Sequence, residues 1–166
     1  LARYAQMKQD VLGLQFDNVT MDEAVARAKE LLEMPGASIV VTPNAEIGYE
    51  ALHDAQFRAL LNGAELVLPD GAGVVLAAKL RKTPLKQKVA GVDFADRLLG
   101  VLAETGKTLY LLGGKPGIAE LAAQKMVEKH PGLHICGAAD GYFKEETPVI
   151  EKINAVKPDV LFVCVG

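Results

Sequence analysis

Residues 108–120 read TLYLLGGKPGIAE. An apolar stretch over 108–112 has the look of a strand. It runs into Gly113 and Gly114, then Lys115, then Pro116 placed to open a helix at its first position. A strand, a tight glycine turn and a helix make half of a βα unit, and the same order recurs on both sides. Downstream, a helix over 116–130 stops at Pro131-Gly132. It is followed by a strand over 133–136, a helix over 145–156 and a strand over 160–165. Upstream, a helix over 92–105 ends at Gly106. Before it lie a strand at 66–68 and a helix at 73–80. Residues 38–41 form an unbroken apolar strand of the kind covered on both faces. Residues 44–53 and 55–61 follow as two helices or one kinked helix. Near the start, Thr20 and Glu23 form a capping box. They open a helix that runs to about residue 33, with Ala24, Val25, Ala28, Leu31 and Leu32 on one face. Residues 11–19 read as a short strand or hairpin. The alternation predicts an α/β fold, a Rossmann-like, doubly wound and mostly parallel sheet. A chain of 166 residues fits a single domain.

Composition narrows the function. Hydrophobic residues make up 50% of the chain, enough for a substantial core, whereas aromatics are 5% with no Trp. That scarcity speaks against an aromatic platform for stacking bases or sugars. The net charge of -3 carries no broad basic footprint for nucleic acid. Cys136 and Cys164 lie in the apolar runs LHICGA and LFVCVG, so they are expected as reduced thiols buried in core strands. They are not a CxxC pair. With no signal peptide and no run of about eighteen apolar residues, a cytosolic or membrane-peripheral protein is expected. The chain closes on a strand and Gly166, where such a sheet normally hands over to a loop. The expectation is therefore a protein that continues beyond it.

In an open parallel sheet, ligands gather at the carboxyl ends of the strands. Polar residues fall at those ends here. VVTPNAEI (40–47) places Thr42-Pro43-Asn44 after one strand, and ELVLPDGAGV (65–74) places Pro69-Asp70-Gly71 after another. Asp70, held between Pro69 and Gly71, suits a general base. The competing reading makes it an N-cap for the helix near Gly73, and Asn44 has the same alternative as a cap of its own helix. Gly113 and Gly114 let the backbone approach a ligand, the helix after them offers N–H groups to an anion, and Lys115 adds charge for a diphosphate. A plain βα turn is the alternative there. The segment is neither GxGxxG nor a P-loop. In GVDFAD, Asp93 and Asp96 divide between capping a helix and facing solvent. Arg81, Lys82, Lys86 and Lys88 form a basic loop that is either solvated or turned to phosphate. None of the three histidines has metal-ligand spacing, and the sequence has no Asp-x-Asp. A nucleotide-sugar would then be neutralised by the protein without a divalent ion.

TPNAEI (42–47), LPDGAGVVLAAKL (68–80), KVAGVDFADRLL (88–99), LYLLGGKPGIAELAA (109–123) and GAADGYF (137–143) occur in this order. Together they resemble the WecG/TagA/CpsF glycosyltransferases over nearly the whole chain, and within them the TagA branch. The resemblance implies an inverting transferase that moves N-acetylmannosamine from UDP-ManNAc to a polyprenyl-diphospho-GlcNAc lipid, in wall teichoic acid linkage-unit synthesis. It implies Asp70 as the catalytic residue of the PDG motif and Thr42 as the functional residue of TPN. Asn44, Lys88 and Asp93 are expected at the substrates. UDP is expected at Gly113, Gly114, Lys115 and Pro116 and at the turn Gly141, Tyr142, Phe143. Lys88 stands where the family usually has Arg, which removes a bidentate phosphate contact. The resemblance also implies a G-x-P-x-Q-E motif and a membrane-associating tail after Gly166. The enzyme would work on the inner face of the cell membrane, without a metal cofactor and without nucleic acid; a homo-oligomer is left open. The rival readings are a same-family transferase using UDP-ManNAcA or UDP-glucose, and a non-catalytic nucleotide-binding domain.

Overall fold

The computed structural model of the chain describes residues 8–165. The chain divides into two compact units, Leu1–Asp96 and Arg97–Gly166.

The first unit opens with a hairpin of β1 (Lys8–Val11) and β2 (Leu14–Asp17), paired antiparallel with Val11 opposite Leu14. Its two-residue turn takes positive φ at both Leu12 (57°) and Gly13 (88°). That twist matches a hairpin. Asp17 is 5% exposed, and its Oδ2 accepts from the Val67 N–H at 2.8 Å. The hairpin is thereby fastened to the strand that contains Val67. Helix α1 (Met21–Leu32) begins at the predicted capping box: Glu23 N–H donates to Thr20 Oγ1, and Thr20 N–H donates to the Glu23 carboxylate. The parallel pair β3 (Val40–Val41) and β4 (Leu66–Val67) follows, with α2 (Ala45–His53) and α3 (Ala55–Asn62) between them in sequence. Asp54 separates the two helices, since its Oδ1 accepts from both Gln56 and Phe57 N–H at 2.9 Å. Helix α4 (Ala72–Leu80) comes next. Leu14, Phe16, Leu61, Val67, Val74 and Ala78 share one apolar core in this unit.

The division between units falls within α5 (Gly91–Thr105), which ends, as predicted, at a glycine with positive φ, Gly106. The second unit contains β5 (Thr108–Gly113), α6 (Ile118–Lys129), β6 (His134–Ala139), α7 (Thr147–Val156) and β7 (Val160–Cys164). Its strands form one parallel sheet in the order β6-β5-β7. The central strand is buried from Leu109 to Leu112. Parallel strands joined through helices give the α/β, Rossmann-like character that the alternation predicts.

Local readings need correction. The strand expected over 38–41 is shorter, and Val40 and Val41 are half-buried rather than covered on both faces. Among the described residues, β3 pairs with β4 in a two-stranded sheet. Pro116 does not open α6. The Ile118 N–H donates to the Lys115 carbonyl at 2.9 Å, and Gly117 has φ 84° and ψ -13°. Lys115 to Ile118 is thus a type II turn with Pro116 and Gly117 at its centre, and the helix starts only after it. β6 runs on to Ala139 because Gly137 lets the strand lie against the Tyr110 ring. A register shift leaves Cys136 out of the pairing between Leu109 and Tyr110. The cysteines are not core thiols: Cys136 is half-buried and Cys164, on an outer strand, is exposed. Gly166 lies outside the described residues. Among the described residues, no helix is long and apolar enough to cross a membrane.

Candidate active site

The two prolines that end strands in the first unit stand side by side. Parallel pairing of β3 with β4 continues past both strands: Leu68 N–H donates to Val41 O at 2.8 Å, and Asp70 N–H to Pro43 O at 3.3 Å. Pro43 and Pro69 are both fully buried. A proline has no N–H to leave unsatisfied there. A third segment closes against the second, since Val89 N–H donates to Pro69 O at 2.9 Å. The loops that carry Thr42, Asp70 and Gly91 are therefore neighbouring walls of one place.

Three helices begin at it. Asn44 caps α2, its Oδ1 accepting from the Ile47 N–H at 3.0 Å, so the capping reading holds for this residue. α4 starts after Gly71, at φ 91°, with no side-chain cap. Asp70 therefore does not cap α4. Its Oδ2 accepts instead from the Gly91 N–H at 3.0 Å, the first residue of α5. The N-termini of α2 and α4 approach so closely that a Cβ on Gly73 would sit 2.9 Å from the Ala45 Cβ. A Cβ on Gly91 would sit 2.7 Å from Thr42 Oγ1, 3.1 Å from its Cβ and 3.2 Å from its Cγ2. Helix N-termini carry partial positive charge, and the Asp70 carboxylate lies against the N-terminus of α5. Thr42 and Asp70 are half-buried, whereas Asn44 is exposed. Lys88 and Asp93 are exposed on either side of Gly91 in sequence.

The neighbouring basic loop is tied down as well. Lys86 Nζ meets Glu23 at 2.9 Å, and Lys86 N–H donates to Asn18 Oδ1 at 2.7 Å. The Thr20 N–H, with Lys86 beside it, holds the Glu23 carboxyl below the usual carboxylate range.

In the second unit, the carboxyl ends of all three strands are closed by backbone. Gly114 N–H donates to Cys164 O at 3.3 Å, and Gly141 N–H to Gly114 O at 2.9 Å. Gly113, at φ 143°, has no room for a side chain because a Cβ would run into the Cys164 carbonyl. A Cβ on Gly141 would lie 3.3 Å from the Gly113 Cα. Gly113 is accounted for by backbone packed on backbone, and Gly141 by the Gly113 backbone together with the Val165 side chain, 3.1 Å from where its Cβ would be. Asp140 Oδ1 accepts from the Tyr142 N–H at 2.8 Å, an Asx turn that fixes the GYF segment. Phe143 is half-buried, and Lys115, Pro116 and Tyr142 are exposed at this end of the sheet.

The reading from sequence named Thr42 and Asp70 but missed Gly91 and Asp140. A glycine at the first position of a long helix was the available signal for Gly91. Among the described residues, no three His, Cys, Asp or Glu side chains gather in a way that would hold a metal ion.

The model of the Glycosyl transferase WecG/TagA/CpsF family matches residues 9–166. A Bacillus spizizenii protein is 35% identical over 135 residues, 81% of this chain and 52% of its own length. A Bacillus subtilis protein is 31% identical over 83% of this chain and 54% of its own length. A Staphylococcus aureus protein is 30% identical over 96% of this chain and 63% of its own length. Each of the three carries the name N-acetylglucosaminyldiphosphoundecaprenol N-acetyl-beta-D-mannosaminyltransferase. The chain thus spans about half to under two thirds of the length of these curated relatives.

Proposed function

The chain belongs to the Glycosyl transferase WecG/TagA/CpsF family, and from that premise we propose that it transfers N-acetylmannosamine from UDP-ManNAc to a polyprenyl-diphospho-GlcNAc acceptor. The observation that carries the reading is Asp70. It ends a parallel strand, is held by a backbone N–H at 3.0 Å, and shares its place with Thr42. A fixed, half-buried carboxylate at a strand's carboxyl end is what a proton acceptor requires.

The chemistry asks for one base, one leaving-group pocket and orientation. Asp70 takes the proton of the acceptor GlcNAc 4-hydroxyl as that oxygen attacks the anomeric carbon of the donor sugar. The bond from that carbon to the diphosphate oxygen breaks, the configuration inverts, and UDP leaves with the bonding pair. Thr42 and Asn44 orient the sugars. The departing UDP needs positive charge where its own negative charge develops; in the second unit, taken by itself, the exposed Lys115 and Tyr142 are the candidate contacts for a nucleotide diphosphate. Lys88 faces phosphate as a point charge rather than a fork. In this reading the protein's own cations and N–H groups take the place of a divalent ion. The lipid-borne acceptor puts this work at a membrane surface.

The test is a donor screen with lipid-linked GlcNAc as acceptor, reading UDP release. UDP-ManNAc should be turned over, and UDP-ManNAcA and UDP-glucose should not. Turnover of either rival donor in its place corrects the substrate. Silence with every donor returns the chain to a nucleotide-binding role. A divalent-ion chelator should leave the rate nearly intact. Complete loss on chelation, restored by adding the ion back, would sink the metal-free reading.

A further inference from the structure

We propose that Gly91 is a positioning residue of the site, acting through its backbone N–H on Asp70 and through its missing side chain on Thr42; this rests on the transferase reading above. Two independent contacts meet at the one residue. The Gly91 N–H donates to Asp70 Oδ2 at 3.0 Å, and a Cβ at this position would sit 2.7 Å from Thr42 Oγ1. Glycine is not required here for its backbone, because Gly91 is absent from the positive-φ glycines. Nor does helix formation favour it: Gly91 is the first residue of α5, where alanine is the better helix former. What glycine supplies is space. Thr42 presents Oγ1, Cβ and Cγ2 to it within 3.2 Å, so turning the threonine does not clear a methyl group. The hydroxyl of Thr42 and the carboxylate of Asp70 are consequently located by the same backbone atoms. With Oδ2 held by the N–H, Oδ1 is left for the acceptor hydroxyl. A shift of about 1 Å in such a pair is enough to cost about a hundredfold in rate.

The experiment uses the full chain and UDP release from UDP-ManNAc with lipid-linked GlcNAc. Gly91→Ala should lower kcat by about tenfold to a hundredfold while KM for the donor stays near its starting value. Adding Thr42→Ser should recover part of the lost kcat, because serine lacks the methyl and its single hydroxyl turns freely. Full kcat in Gly91→Ala overturns the role, as does an equal loss in Gly91→Ala and the double variant. A second measurement does not need a position-91 variant to fold. In the nitrogen-15 spectrum, the Gly91 amide of the otherwise wild-type chain should move upfield in Asp70→Ala, and an unmoved resonance also overturns the role. The two readings fail separately. A wild-type chain that turns over no donor defeats the transferase proposal and this role with it, whereas a working enzyme indifferent to Gly91→Ala defeats this inference alone.

Discussion

At the residue scale, Asp70 separates chemistry from architecture. Its carboxylate does not cap α4; it accepts from Gly91 across the loop. Asparagine at this position keeps an oxygen for that N–H and keeps the volume, but it cannot take a proton. We expect Asp70→Asn to melt close to wild type and to bind UDP as well or better. Turnover should fall by about 10²- to 10⁴-fold, the usual cost of losing a general base. Thermal melts, UDP calorimetry and a UDP-release assay on the one variant check this. Turnover retained at near the wild-type rate would leave Asp70 as a brace for α5. The glycines at this scale were legible only as a class. Those in GGKPG look from sequence like ligand-facing glycines, yet the space beside Gly113 is occupied by the Cys164 backbone. Gly91 looked unremarkable because the constraint on it comes from Thr42, far away in the chain, and no local pattern records that contact.

At the scale of elements, what periodicity and capping control was readable, and what pairing controls was not. The capping box of α1 and the stop of α5 at Gly106 follow from a few adjacent residues, whereas the sequence left two helices or one kinked helix open and the Asp54 cap decides for two. The length of β3 and the extension of β6 to Ala139 depend on partners elsewhere in the chain. The start of α6 shows the two influences competing. Pro116 suits a helix start, but Gly117 behind it adopts φ 84° and turns the pair into the centre of a type II turn. The turn leaves Lys115 as its first residue, exposed after Gly114. That placement fits a lysine reaching a diphosphate without packing against the protein. Lys115→Glu should therefore weaken UDP binding in calorimetry and leave the melting temperature nearly unchanged. Unaltered affinity would take this turn out of the nucleotide site.

At the scale of the whole molecule, each unit is fastened within itself by carboxylates that accept backbone N–H groups, one in a helix cap and two from distant segments. Glu23 accepts from Thr20 N–H at 2.8 Å and Glu65 from Ile39 N–H at 2.6 Å, while Asp159 accepts from Thr108 N–H at 2.7 Å. In each case the backbone N–H is the leading cause that holds the carboxyl below its ordinary value, 4.5 for the glutamates and 3.8 for the aspartate. A carboxyl whose pKa is lower folded than unfolded binds its proton more readily when unfolded. Its stabilising effect is complete above the unfolded value and fades as pH falls through the folded one. The combined variant Glu23→Gln, Glu65→Gln, Asp159→Asn keeps an acceptor oxygen at each site but removes the charge that strengthens the bond. It should melt below wild type at neutral pH. The gap should narrow steadily as pH drops below about 4.5, because protonation then brings the wild type to the same uncharged condition. Thermal melts of both proteins from neutral to about pH 3 measure it. A gap that stays constant across that range would mean these carboxylates act inside each unit by shape alone, with no contribution from their charge.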